Sequence, residues 1–135
     1  MGGFAVARLA LSRPELFAFV GAFSPSIDVC ERPIHLMQWW RLRGIFGPAG
    51  SKTRTMSDPF LLARSADPAR MPYIYLTAGE VEPLVWPNRR FAALLKSRGF
   101  AYEFRTKPGG HDWNEWDAQL PGCFESLFRH LKQDR

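Results

Sequence analysis

The residues best suited to chemistry in this chain are a histidine and two glutamates. His111 lies in Lys107-Pro-Gly-Gly-His-Asp-Trp, and Glu80 and Glu82 follow the apolar run Pro72–Gly79. A carboxylate beside an imidazole fixes its tautomer and stabilises the imidazolium formed when the ring acts as a general base. A lone loop histidine more often just hydrogen-bonds a neighbour. Here the context favours chemistry, because both loops are predicted to leave the ends of strands, where ligands collect in open α/β sheets. Glu80 and Glu82 are both candidate partners of His111. Asp112 suits a loop cap better, because adjacent residues rarely put a carboxylate on their neighbour's ring.

The elements that must position these groups alternate. Met1 to Leu11 reads as an almost wholly apolar helix that needs cover on most sides, with Gly2 and Gly3 allowing close backbone approach and Pro14 ending it. Phe17–Ser24 is apolar on both faces and suits a buried parallel strand. Residues 29–57 read as an irregular insertion, with one short helix around Ile34–Arg43. Asp58-Pro-Phe-Leu-Leu-Ala-Arg-Ser is a short helix with Ser57 or Asp58 as N-cap. Pro72–Gly79 is a second buried strand. Pro87–Arg98 is an amphipathic helix stopped by Gly99. Ala101–Thr106 alternates as a third strand. A final helix from Trp113 carries Trp116, Leu120, Phe124, Leu127, Phe128 and Leu131 at helical spacing, despite Pro121-Gly122, and that stripe is expected in the core. This order predicts one α/β domain, about three parallel strands flanked by helices on both faces.

Composition excludes several classes. The 135 residues suffice for one small domain, and at 46% hydrophobic the chain can bury a core. The net charge of +5 is scattered, with Arg41/Arg43 and Arg89-Arg90 as its tightest groups, so neither nucleic acid nor a membrane is an expected partner. No apolar run approaches a bilayer span, and the start has no signal-peptide pattern. The compartment is not readable, with the cytoplasm as default. Cys30 and Cys123 are far apart and read as unpaired thiols. His35, His111 and His130 lack zinc spacing, so no metal or other cofactor is expected. A thiol enzyme using Cys30 or Cys123 is a weak alternative.

Three stretches carry a resemblance to a family. Met1-Gly-Gly-Phe through Phe17, followed by Val20-Gly-Ala-Phe-Ser, resembles the segment after the nucleophile of a Gly-x-Ser-Met-Gly-Gly elbow. Tyr75-Leu-Thr-Ala-Gly-Glu-Val-Glu-Pro-Leu resembles an acid loop. Pro108-Gly-Gly-His-Asp-Trp-Asn-Glu-Trp resembles a histidine loop and is the most specific of the three. Together they resemble the C-terminal part of esterases of the α/β-hydrolase superfamily, the group of S-formylglutathione hydrolase-like, enterochelin-esterase-like and feruloyl-esterase-like enzymes.

The resemblance implies a serine carboxylic-ester or thioester hydrolase that works through an acyl-enzyme on a small-molecule ester. His111 is implied as base and Glu82 as acid, where the family usually has Asp. Met1 stands just after the nucleophile, so its backbone nitrogen falls at the oxyanion hole. No serine in the chain has the glycine-flanked G-x-S-x-G setting. The expectation is therefore a partial domain, 1–135, that begins just after the nucleophile and is inactive alone. The competing expectation is a non-catalytic half-domain or binding module that associates with another chain, or with itself, through an exposed strand edge. Trp39, Trp40 and Trp86 could shape a substrate pocket, although packing explains them equally well.

Overall fold

The structure is a computed structural model that describes residues 1–31 and 42–133. Three parallel strands form one sheet in the order β1 (Phe19–Phe23), β2 (Tyr73–Gly79) and β3 (Tyr102–Lys107). Phe23 pairs in register with Thr77, and Gly79 with Lys107, so the three C-terminal ends finish together at one edge. The expected α/β layering is present. The N-terminal helix (Gly2–Ser12), the short helix Pro59–Ser65 and the helix Val85–Arg98 cover one face, and the helix Trp113–Gln133 crosses the other.

Alternation along the strands divides the two faces. Ala22, Ile74 and Leu76 point into a core with Ala7, Leu11, Phe60, Phe91 and Leu95. A smaller cluster joins Phe4 to Val29, Cys30 and Phe46, which ties part of the 29–57 insertion to the first helix. That insertion is not wholly irregular, because 42–46 and Lys52–Thr55 each form a helical turn. The expected helix around Ile34–Arg43, with Trp39 and Trp40, falls almost entirely outside the described residues.

Local signals explain most element boundaries. Asp58 caps its helix, accepting from the Phe60 N–H at 2.8 Å, with Pro59 in the first turn. Gly99 ends the amphipathic helix at φ +79, and its N–H reaches the Leu95 and Lys96 carbonyls. That helix starts at Val85, before Pro87, because proline is tolerated in a first turn. Of the two N-terminal glycines, Gly3 makes the close approach. A Cβ there would lie 2.7 Å from the Phe23 carbonyl oxygen, whereas nothing lies near Gly2.

Two packing expectations are corrected. The N-terminal helix buries Phe4, Ala7, Ala10 and Leu11 but leaves Val6 and Leu9 exposed among the described residues. The stripe of the last helix is not core. Trp113, Leu120, Phe124, Phe128 and Leu131 are exposed, and the helix buries Glu115, Gln119, Cys123 and Ser126 instead. The reason lies in the opposing sheet face, which carries Tyr75, Glu103 and Arg105. Ser126 donates to Glu103 at 2.8 Å. Gly122 packs so closely that a Cβ would meet the Tyr75 hydroxyl at 3.0 Å and the Arg105 guanidinium at 2.9 Å. This face mixes the rings of Phe19, Phe23, Tyr73 and Tyr75 with Glu103 and Arg105, and its polar groups take Ser126 while the large apolar residues of the helix turn out.

These contrasts predict unequal costs for two truncations. Leu95 is fully buried, so Leu95→Ala should lower stability by about 2–5 kcal/mol. Phe128 is 59% exposed, so Phe128→Ala should stay within about 0.5 kcal/mol of the parent. Urea denaturation of the three proteins at low concentration is the check.

Candidate active site

The C-terminal edge of the sheet brings together Glu82, His111, Ser24 and Trp116. Glu82 follows β2 in a turn where its N–H reaches back toward the Gly79 carbonyl at 3.4 Å. The His111 loop leaves β3 and crosses directly over the end of β2. The Glu80 N–H donates to the Lys107 carbonyl at 3.0 Å, and the Val81 N–H to the Gly109 carbonyl at 3.2 Å. This crossing requires glycine at 79, since a Cβ would fall on the Gly109 carbonyl oxygen and within 2.7 Å of that of Gly110. Gly109 itself has φ +151 and rests on the Glu115 side chain.

His111 Nδ1 lies 2.7 Å from Glu82 Oε2. The Glu82 side chain is 1% exposed and the His111 ring 49%. The carboxylate is thus sealed behind a ring whose other side meets solvent. Glu82 Oε1 accepts from the Gly79 N–H at 2.8 Å and from the Ser24 hydroxyl at 2.5 Å. Three donors converge on one buried carboxylate, and such convergence offsets the cost of removing it from water. An acceptor-only carboxylate on Nδ1 leaves that nitrogen as donor and Nε2 with its lone pair, the arrangement a general base needs.

The other carboxylates make separate contacts. Glu80 is exposed and accepts from the Thr106 hydroxyl at 3.2 Å. Asp112 caps the last helix, accepting from the Glu115 N–H at 3.1 Å. Met1 sits at the N-cap of the first helix, whose Gly3 abuts the end of β1, so it belongs to the same edge of the sheet. Trp86 is 70% exposed with the Arg89 guanidinium over its ring, so core packing does not account for it. Trp39 and Trp40 lie outside the described residues.

Three contributors were not anticipated. Trp116, expected as core, stands edge-on to His111 with ring centres 5.0 Å apart and donates its indole N–H to Ser24 Oγ at 3.3 Å. Ser24, read only as the end of the first strand, is buried with φ +43, a region that disfavours residues other than glycine. Glu115 is buried behind the histidine loop and accepts from the Gln119 amide at 2.6 Å. Burial pushes its carboxyl up, the Gln119 hydrogen bond opposes that, and the Glu82 and Asp112 carboxylates reinforce it.

Neither cysteine suits nucleophilic chemistry. Burial raises the Cys30 thiol to about 11 and also raises Cys123, which keeps both away from the reactive thiolate. Among the described residues no three His, Cys, Asp or Glu side chains group closely enough to hold a metal ion. Within the same residues, no helix is long and apolar enough to cross a membrane.

The sequence model of the "Putative esterase" family matches residues 1–127. The chain belongs to that family. An acetyl esterase from Caldicellulosiruptor saccharolyticus is 25% identical over 93% of this chain and 50% of its own length. Among solved structures, S-formylglutathione hydrolase from Staphylococcus aureus superimposes with a TM-score of 0.71 at 23% identity, covering 89% of this chain and 48% of that enzyme. A ferulic acid esterase superimposes with a TM-score of 0.70 at 21% identity, covering 96% and 48%. This member of the esterase family therefore has an α/β-hydrolase-like fold, and it spans about half the length of the relatives it matches.

Glu115 gives a pH signature independent of activity. An unfolded carboxyl ionises near 4.5, whereas the folded one keeps its proton to higher pH. The folded state therefore binds more protons in that window, and stability falls as pH rises above about 4.5. Glu115→Gln should lose less stability than the parent between pH 4.5 and pH 7, read as the shift in urea midpoint.

Proposed function

We propose that Glu82 and His111 are the acid and base of a serine hydrolase acting on carboxylic esters or thioesters, with the nucleophilic serine supplied by polypeptide outside these 135 residues. The observation that carries the reading is the 2.7 Å contact between a half-exposed imidazole and a sealed carboxylate at the strand ends. Family membership and the ester-cleaving relatives support it.

In this reading the serine oxygen attacks the ester carbonyl carbon, and its proton passes to His111 Nε2. The new oxyanion meets backbone N–H groups at the start of the first helix, where Met1 stands. Collapse breaks the bond to the alcohol or thiol, which leaves with the proton from His111. Water then attacks the acyl-enzyme, gives its proton to His111, and releases the acid as the serine regains a proton. Glu82 holds the ring and stabilises the imidazolium in both halves.

The chain alone carries no serine in an elbow and is inactive in this reading. With p-nitrophenyl acetate, the 135-residue chain should give no burst of p-nitrophenolate. A polypeptide read in frame from upstream of the Met1 codon and containing Gly-x-Ser should give one. In that longer polypeptide His111→Ala should lower kcat by about 10⁴-fold or more, whereas retention within about tenfold would overturn the assignment.

A second reading has a specific observation behind it. Among the described residues β1 pairs only with β2, so its other edge is open, and the last helix turns Leu120, Phe124, Phe128 and Leu131 outward. An unpaired apolar edge beside an apolar helix face favours association with another chain or a second copy. The isolated chain should sediment as an oligomer or unfold at low denaturant. A sharp, concentration-independent unfolding transition of a monomer would count against it.

A further inference from the structure

We infer that Ser24 is a positioning residue for the Glu82–His111 pair. The inference rests on the acid–base reading above and adds a group to which no role was given.

Ser24 is the point where three separate elements are tied to one carboxylate. It ends β1, and its N–H donates to the Thr77 carbonyl of β2 at 2.9 Å. Its hydroxyl donates to Glu82 Oε1 at 2.5 Å and accepts from the Trp116 indole of the last helix at 3.3 Å. The partners stand 58 and 92 residues away in the chain. A hydroxyl has one proton to give. The indole N–H can only donate, so it occupies a lone pair of Ser24 and leaves the hydroxyl proton for Glu82. Trp116 in turn packs edge-on against His111. The circuit thus runs from the ring to the carboxylate, to the hydroxyl, to the indole, and back to the ring.

The backbone supports a selected position. Ser24 is the only non-glycine with positive φ among the described residues, at +43. Such strain persists where surrounding contacts over-determine it. Glycine would relieve it and alanine would not, so the side chain has a use that outweighs its conformational cost. That use is to fix Oε1. With Oε1 held by Ser24 and the Gly79 N–H, the carboxylate cannot turn, and Oε2 stays on His111 Nδ1.

Two substitutions separate this role from a purely structural one, with the His111 tautomer as readout. Long-range ¹H–¹⁵N correlation spectra of the ¹⁵N-labelled 135-residue chain at neutral pH distinguish an Nδ1–H ring from an Nε2–H ring. The parent should show His111 with the proton on Nδ1. Ser24→Gly removes the hydroxyl at a φ that glycine accepts, and Ser24→Ala removes it while keeping the strain. Both should shift the His111 signals toward the Nε2–H form, with Ser24→Gly unfolding at higher urea than Ser24→Ala. If Ser24→Gly keeps the parent's Nδ1–H signature, the positioning role is overturned. Loss of folding in Ser24→Gly would overturn it too, because the hydroxyl would then hold the fold and not the pair. A parent that already shows Nε2–H would instead sink the acid–base reading, an outcome distinct from the other two.

Discussion

Glu82 is a carboxylate almost wholly removed from water, and the ends of all three strands are arranged around it. Burying an uncompensated charge costs several kcal/mol, so the site exists only if donors reach it from several directions. They come from the end of β1 through Ser24, from the end of β2 through the Gly79 N–H, and from the loop after β3 through His111. Each donor depends on the parallel register, which brings Phe23, Gly79 and Lys107 to one edge. A slip of one residue in any strand would turn a donor away and leave the charge unpaired.

The same requirement explains the glycines at the edge. The histidine loop must cross β2 closely enough to hydrogen-bond Glu80 and Val81, and only glycine at 79 leaves room for the Gly109 and Gly110 carbonyls. Gly109 in turn lies on Glu115, which anchors the loop from behind. The result is a closely packed loop that leaves the imidazole half-exposed to solvent.

The two layers of helices are held by different forces. On one face Phe60, Phe91, Leu95 and Ile74 form an apolar core driven by loss of hydrated surface. On the other, the last helix meets the sheet through the Ser126–Glu103 hydrogen bond and the close approach of Gly122 to Tyr75 and Arg105, and its large apolar residues point out. The polar layer places Trp116 and Asp112 at the histidine loop. This packing leaves the apolar side of the last helix uncovered and, among the described residues, one edge of β1 unpaired.

The sequence by itself determined the element order, the parallel sheet and the placing of Glu82 and His111 at the strand ends. These rest on signals local in the chain: alternation in the strands, Pro and Gly at their ends, a capping Asp58, a terminating Gly99, and the spacing that sets Glu82 after β2 and His111 after β3. The roles of Ser24, Trp116 and Glu115, and the outward turn of the last helix, were decided only by the tertiary structure. Helical periodicity shows that a helix has two faces but not which one meets the sheet, because that choice depends on the Tyr75, Glu103 and Arg105 side chains of distant strands. Ser24 carries no local mark either. Its partners are 58 and 92 residues away, and a hydroxyl becomes a positioning group only when folding brings a buried carboxylate within reach.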